Sequence, residues 1–339
     1  MLNLDENDIP KLLRDMGLLH DSGDLVIRPL SGGVSSDVLR VEGRGGTLCV
    51  KRACPRLRVA ADWHAPIGRN QIEVAWLRNA ATIIPNAVPA VLGDSPEAGL
   101  FVMAYLDPAR HPVWKSELLA GRVDAVFAAQ VGSTLAKLHG GSTDDPAQAQ
   151  RFADDESFHA LRIEPYLRFT ATRHPTLAGA LDDLAHLAGT TKIAVIHGDV
   201  SPKNLLVGPD GPVFIDAECA CFGDPAFDLA FCLSHLLLKS MRPGAAPEPM
   251  LACFDALVGA YLAAVDWEDP RLLEARASRY LPGLLLGRID GKSPIEYITH
   301  DFEKDSVRTF ASRHLQCPPL GLFDLRRAWT RDLTAKVAA

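Results

Sequence analysis

Asp199, Asn204 and Asp216 are residues whose types and spacing could do chemistry. Asp199 sits in His197-Gly198-Asp199-Val200-Ser201-Pro202-Lys203-Asn204, and Asp216 in Phe214-Ile215-Asp216-Ala217-Glu218. Phosphoryl transfer asks little covalent chemistry of a protein. It needs a carboxylate to orient the attacking hydroxyl, and hard oxygen ligands to hold Mg²⁺ on the phosphates. Asp199 suits the first task, and Asn204 with Asp216 suits the second. Lys203 could neutralise charge on the group in flight, or be an ordinary exposed loop lysine. A turn-capping role for Asp199 and Asn204 would leave the position of Asp216 to coincidence.

Three apolar runs must position these groups. Ile193-Ala194-Val195-Ile196 reads as a strand entering the loop, and Leu205-Leu206-Val207 as one leaving it. The turn Gly208-Pro209-Asp210-Gly211 then returns the chain through Pro212-Val213-Phe214-Ile215. The expectation is a loop, a β-hairpin, and an acidic residue carried back beside the loop.

This segment resembles the Brenner-type motif of the aminoglycoside phosphotransferase and choline kinase superfamily, distant relatives of protein kinases. Gly223-Asp224-Pro225-Ala226-Phe227-Asp228-Leu229-Ala230 resembles the family's Gly-Asp-Pro-x-x-Asp-Leu-Ala element, which steadies the catalytic loop. Leu135-Ala136-Lys137-Leu138-His139 resembles its helix ending in Leu-His. The resemblance implies an α+β, bilobal protein-kinase-like fold. Residues 1–105 would form a small β-rich nucleotide-binding lobe, and residues 106–339 a larger, mainly helical catalytic and substrate lobe. It also implies an ATP-dependent kinase with Asp199 as base and Asn204 and Asp216 as Mg²⁺ ligands. Glu218 matches an acidic residue found in some branches.

Such a fold needs a phosphate-covering turn and a strand lysine ahead of the loop. Leu25 to Leu30 and Asp37 to Val41 read as strands around Ser31-Gly32-Gly33-Val34-Ser35-Ser36. There Gly32 and Gly33 would let backbone N–H groups approach phosphate, with Ser31 and Ser35 adding hydroxyls. Lys51 ends the apolar strand Thr47-Leu48-Cys49-Val50-Lys51-Arg52, where it could reach the α- and β-phosphates or snorkel from a strand end. Glu73, in the helical run Gln71-Ile72-Glu73-Val74-Ala75-Trp76-Leu77-Arg78, is its expected partner. Further strands are expected at Ala87 to Leu92 and Gly99 to Tyr105. By the resemblance, backbone groups of Met103, Ala104, Tyr105 and Leu106 form an interlobe hinge that bonds a nucleobase edge.

The chain has 339 residues, is 47% hydrophobic, and carries a net charge of −7. The charge argues against nonspecific nucleic-acid binding. The patch Lys51, Arg52, Arg56 and Arg58 is local and better suited to nucleotide phosphates or solvent. No apolar run is long enough for a bilayer, and the acidic start Met1-Leu2-Asn3-Leu4-Asp5-Glu6 does not resemble a signal peptide. These features predict a cytoplasmic protein with no membrane or nucleic-acid partner. Seven dispersed cysteines form no disulfide framework. Cys219 and Cys221 read as small apolar packing groups, since no second pair completes a zinc site. The sequence leaves oligomeric state open, a homodimer among the options.

The acceptor reads as a small molecule. Only eleven residues separate Asp216 from Asp228 and no Ala-Pro-Glu follows, so a protein-kinase activation segment is missing. Lys51-Arg52-Ala53-Cys54-Pro55-Arg56-Leu57-Arg58-Val59, the Trp63 loop, Arg69 to Glu73, and Val113-Trp114-Lys115-Ser116-Glu117-Leu118-Leu119 resemble 5-methylthioribose kinases. The chain departs from them in Pro202-Lys203-Asn204, and their paired arginines lack a clear match. The available basic residues are Arg279 and Arg288, which could line an acceptor pocket beneath a Trp63 lid. Asp301, Glu303 and Asp305 are the only compact late acidic group, a sparse patch for a polycation. A sugar-like or amino-alcohol hydroxyl is therefore expected. The alternatives are an aminoglycoside phosphotransferase and a catalytically weak ATP-binding pseudokinase acting as an interaction module.

Overall fold

The computed structural model describes residues 8–19, 25–30, 36–54, 66, 68–242, 244, 246–318 and 321–337. Alternation of apolar residues builds its first part. Strands β1 (Val26–Pro29), β2 (Ser36–Gly43), β3 (Gly46–Ala53), β4 (Val91–Ser95) and β5 (Leu100–Ala104) form an antiparallel sheet in the order β1-β2-β3-β5-β4. Leu39, Val41, Val50, Leu100 and Val102 pack on one face, with Ile9 and Leu13 of helix α1 (Ile9–Asp15). Because side chains alternate, Lys51 and its register partner Phe101 occupy the other face. That face receives helix α2 (Arg69–Ile83), whose Val74, Trp76 and Leu77 share a core with Phe101.

One strand lies later than expected. In place of a strand from Ala87 to Leu92, Pro85–Ala87 makes a tight 3-10 turn and β4 runs from Val91 to Ser95. Pro85 and Pro89 lack the N–H that a ladder requires, so pairing with β5 begins only beyond them.

The remainder is mainly helical. Helices α3 (Trp114–Leu119), α4 (Ala125–Gly140), α5 (Pro146–Arg151) and α6 (Glu156–Phe158) lead into a π-helical segment, His159–Arg168, then α7 (Phe169–Arg173) and α8 (Ala178–Thr190). Short strand β6 (Ala194–Ile196) pairs with β9 (Cys221–Gly223), and β7 (Leu205–Gly208) with β8 (Gly211–Phe214). Then follow α9 (Pro225–Lys239), α10 (Glu248–Ala263), α11 (Pro270–Asp290), α12 (Asp301–Gln316) and α13 (Leu322–Val337). Every residue of α9 is buried. Its start is set by Asp224, whose carboxylate accepts the Ala226 N–H at 3.0 Å, and by Pro225 in the first turn.

Pro282 and Gly283 do not interrupt α11, which runs through both. Gly287 lets this helix press on the π-helical segment, since a Cβ there would stand 2.4 Å from the Tyr166 carbonyl oxygen. No helix among the described residues is long and apolar enough to cross a membrane.

Candidate active site

The loop after β6 turns through Gly198, at φ +74°, where a Cβ would stand 2.5 Å from the Cys219 carbonyl oxygen. Two N–H groups of the turn are gathered by one carboxylate. Asp228, in the first turn of α9, accepts from His197 N at 2.7 Å and Gly198 N at 2.9 Å. Asp228 also faces His139 Nε2 at 3.3 Å, and His139 Nδ1 lies 2.8 Å from the Tyr261 hydroxyl. The Asp199 N–H donates to His197 Nδ1 at 3.2 Å, so His197 carries its proton on Nε2 and donates to the Ile215 carbonyl at 3.1 Å. Burial pushes the His197 pKa down, which favours this neutral ring. One imidazole thus ties the loop to the residue before Asp216.

Three side chains converge on Oδ2 of the buried Asp199. Asn204 Nδ2 donates to it at 2.7 Å, Arg162 Nη2 lies at 2.6 Å, and Lys203 Nζ at 3.2 Å. The Arg162 Nε also donates to the Gly198 carbonyl at 2.8 Å. Lys203 is half exposed; burial disfavours its charge, yet Asp199 and then Asp216 raise its pKa and keep it an ammonium. The β7–β8 hairpin brings the chain back so that Ile215 N donates to the Asn204 carbonyl at 3.0 Å. Asp216 is therefore set beside Asn204, in a left-handed conformation at φ +68°. With Nδ2 committed to Asp199, Asn204 retains its amide oxygen as a ligand atom, and Asp216 adds a carboxylate. Those hard oxygen donors fit a small divalent cation.

On the sheet side, Lys51 Nζ donates to Glu73 Oε1 at 2.8 Å and Oε2 at 2.6 Å, and also pairs with Asp216. Burial opposes all three charges, but the ammonium between two carboxylates is held protonated. Asp216 is correspondingly held ionised, far below the ordinary carboxylate range: burial would raise its pKa, and Lys51 more than offsets that. Beyond Asp216, Glu218 accepts from Arg69 Nε at 2.9 Å, joining α2 to the loop segment.

The structure thus brings Lys51, Glu73, Asp199, Lys203, Asn204 and Asp216 to one place. Met103 pairs with Cys49 and Val91, Ala104 N donates to the Ala90 carbonyl at 2.9 Å, and the Tyr105 ring lies under Arg40, 4.8 Å from its guanidinium. These residues and Leu106 lead the chain out of the sheet. Ser31, Gly32, Gly33 and Ser35 lie outside the described residues, as do Arg56, Arg58 and Trp63. Arg279 and Arg288 do not share a wall. They are nine residues apart on α11, about two and a half turns, so they face opposite sides. Arg279 is exposed, whereas Arg288 Nη1 donates to the Tyr166 hydroxyl and the Ser293 carbonyl, each at 2.8 Å. The late acidic group is dispersed too: Glu303 is buried and accepts the His300 N–H at 3.3 Å, while Asp301 and Asp305 are exposed.

Sequence reasoning missed Arg162, whose guanidinium is buried against Asp199. The available signal was Pro165 inside an otherwise helical run, which marks a departure from regular α-helix. It also missed the pairing of Arg69 with Glu218, which no local pattern signals.

Comparison with known proteins places this geometry in context. A family model described as "Phosphotransferase enzyme family" (APH) matches residues 26–288. The methylthioribose kinase of Pectobacterium carotovorum is 27% identical over 262 residues, covering 69% of this chain and 65% of that protein. The chain spans from 56% to 65% of the length of such curated relatives. Among solved structures, a choline kinase from Cryptosporidium parvum superposes with a TM-score of 0.57 at 13% identity, over 92% of this chain and 95% of that one. An amicoumacin kinase in complex with AMP-PNP and Ca²⁺ gives 0.57 at 14% identity, over 95% and 97%. The fold shared with these structures is bilobal and protein-kinase-like.

Proposed function

This chain belongs to the phosphotransferase enzyme family, and from that premise we propose that it transfers the γ-phosphoryl group of ATP to a hydroxyl of a small sugar-like or amino-alcohol acceptor in the presence of Mg²⁺. The observation that carries this reading is the convergence of Asp199, Asn204, Asp216 and the Lys51–Glu73 pair from two distant parts of the chain.

The acceptor hydroxyl donates its hydrogen bond to Asp199, whose carboxylate takes the proton as the new O–P bond forms and the bond to the ADP oxygen breaks. Arg162 and Asn204 fix the direction of that carboxylate, so little reorganisation remains at the moment of reaction. Lys51, oriented by Glu73, grips the α- and β-phosphates, and Lys203 faces charge on the group in transfer. Asn204 and Asp216 would hold Mg²⁺, and the ion would neutralise phosphate charge. By the sequence reading Ser31, Gly32, Gly33 and Ser35 would cover the phosphates, and within the Met103 to Leu106 segment the nucleobase would meet backbone groups of Tyr105 and Leu106, since Met103 and Ala104 are engaged in the sheet. We place the lobe boundary between residues 105 and 106, and the enzyme in the cytoplasm.

The test is ADP release and product mass in a panel of pentoses, amino alcohols and aminoglycosides with Mg·ATP. Acceptor-dependent ADP release that vanishes in Asp199→Asn is the expected result. Release that is unaffected by every acceptor, and equal in the variant, would overturn the reading.

A further inference from the structure

Beside the loop lies a set of cations with too few anions. Helix α3 packs on the Pro202–Asn204 turn, and its Lys115 pairs with Glu296. Lys203 pairs with Asp199. Two further cations have no carboxylate at ion-pair distance among the described residues, although Glu296, already paired with Lys115, acts on both from farther off. Lys239, at the end of α9, is 1% exposed, and its one hydrogen bond goes to the Tyr297 hydroxyl at 3.2 Å, with that ring 4.7 Å away. Arg288 meets only neutral oxygens, and its buried Nε has no partner.

These groups adjoin Asp199 through packed rings. The Arg162 guanidinium lies 5.8 Å from the Tyr166 ring and 5.6 Å from Phe231, and Arg288 covers Tyr166 at 5.6 Å. Phe231 in turn contacts the buried His235 at 5.4 Å. An unpaired buried ammonium is costly. Burial, then Arg288 and Lys115, push the Lys239 pKa down to about 7, so an arriving anion would be repaid by restoring its charge.

We propose that the acceptor carries an oxyanion, a carboxylate or phosphate, that seats between Lys239 and Arg288 while its hydroxyl rests on Asp199. This rests on the phosphotransfer reading and narrows it: the substrate class is a hydroxy acid or sugar phosphate, not a polycation. On arrival the anion would displace or share the Tyr297 hydroxyl that Lys239 now meets.

The experiment uses the full chain with Mg·ATP and matched acceptors: glucuronate against glucose, gluconate against sorbitol, ribose 5-phosphate against ribose. Anions should turn over in preference to their neutral partners. Lys239→Met should raise KM for those anions by about 30-fold or more, as expected for removing one partner of a buried charge pair. Arg288→Lys should recover most of the loss seen in Arg288→Met. Removing an unpaired cation should also hold or raise Tm, whereas a purely structural lysine would lower it. Faster turnover of the neutral members would overturn the anion site and leave the kinase reading standing. If none of these acceptors turns over, the kinase reading is decided by the wider panel above, and calorimetric titration of inorganic sulfate decides the site separately. Sulfate binding lost in Lys239→Met supports it; absent or unchanged binding overturns it.

Discussion

At Asp199 one carboxylate oxygen is held by three donors of different kinds, an amide, a guanidinium and an ammonium. Asp199→Asn keeps the shape and loses the base. Since positioned acid–base groups contribute roughly 10²–10⁴-fold, kcat should fall by about that factor while the KM for ATP changes little; steady-state kinetics in both substrates reads this out. Lys51 works through direction as well as charge, because both Glu73 oxygens accept from it. Lys51→Met should weaken ATP binding, and would leave Glu73 buried without its counterion. Gly198 carries a purely steric demand. Gly198→Ala must hold a left-handed residue, which alone costs about 1–3 kcal/mol, and must push its Cβ off the Cys219 carbonyl. Urea unfolding should show a loss at the top of that range or beyond it.

At the scale of elements, the loop is anchored by the start of one helix. Asp228 satisfies two adjacent N–H groups that would otherwise be buried without partners. Asp228→Asn can accept only one of them through its amide oxygen. We expect a stability loss of about 2 kcal/mol or more in urea unfolding, together with a lower kcat. The π-helical segment plays the matching role from the other side. Pro165 cannot donate within the helix, and the wider turn delivers Arg162 to both Gly198 and Asp199. Arg162→Met strips a buried carboxylate of its closest cation, so kcat and Tm should fall together; a variant with normal kcat would remove Arg162 from the site.

Across the whole molecule, two features join distant segments. Arg69 in α2 reaches Glu218, 149 residues later. A double-mutant cycle of Arg69→Met and Glu218→Gln should give a coupling of at least about 0.5 kcal/mol in stability, and values near zero would mean the pair is incidental. Lys239 gives the fold a pH signature. Its folded pKa of about 7 lies below the ordinary 10.5, with Arg288, Lys115, Glu296 and Cys232 around it. Between those values the unfolded chain binds one more proton than the folded one, so this group makes stability rise with pH across that window. The rise should flatten in Lys239→Met when Tm is followed from pH 7 upward.

The sequence by itself determined what local spacing can encode. Asp199, Asn204 and Asp216 are separated by a turn and a two-strand hairpin, and a hairpin returns its end to its start whatever surrounds it. Alternation likewise put Lys51 on the face opposite Val50, toward the helix bearing Glu73. The 3.6-residue period also contained the separation of Arg279 from Arg288, once α11 was known to continue through Pro282. Tertiary structure alone decided which cations meet which anions. Arg162 on Asp199, Arg69 on Glu218, and Lys239 beside Arg288 join residues whose separation carries no periodic signal. Such meetings depend on how buried helices cross, and crossings are fixed by side-chain packing over the whole core.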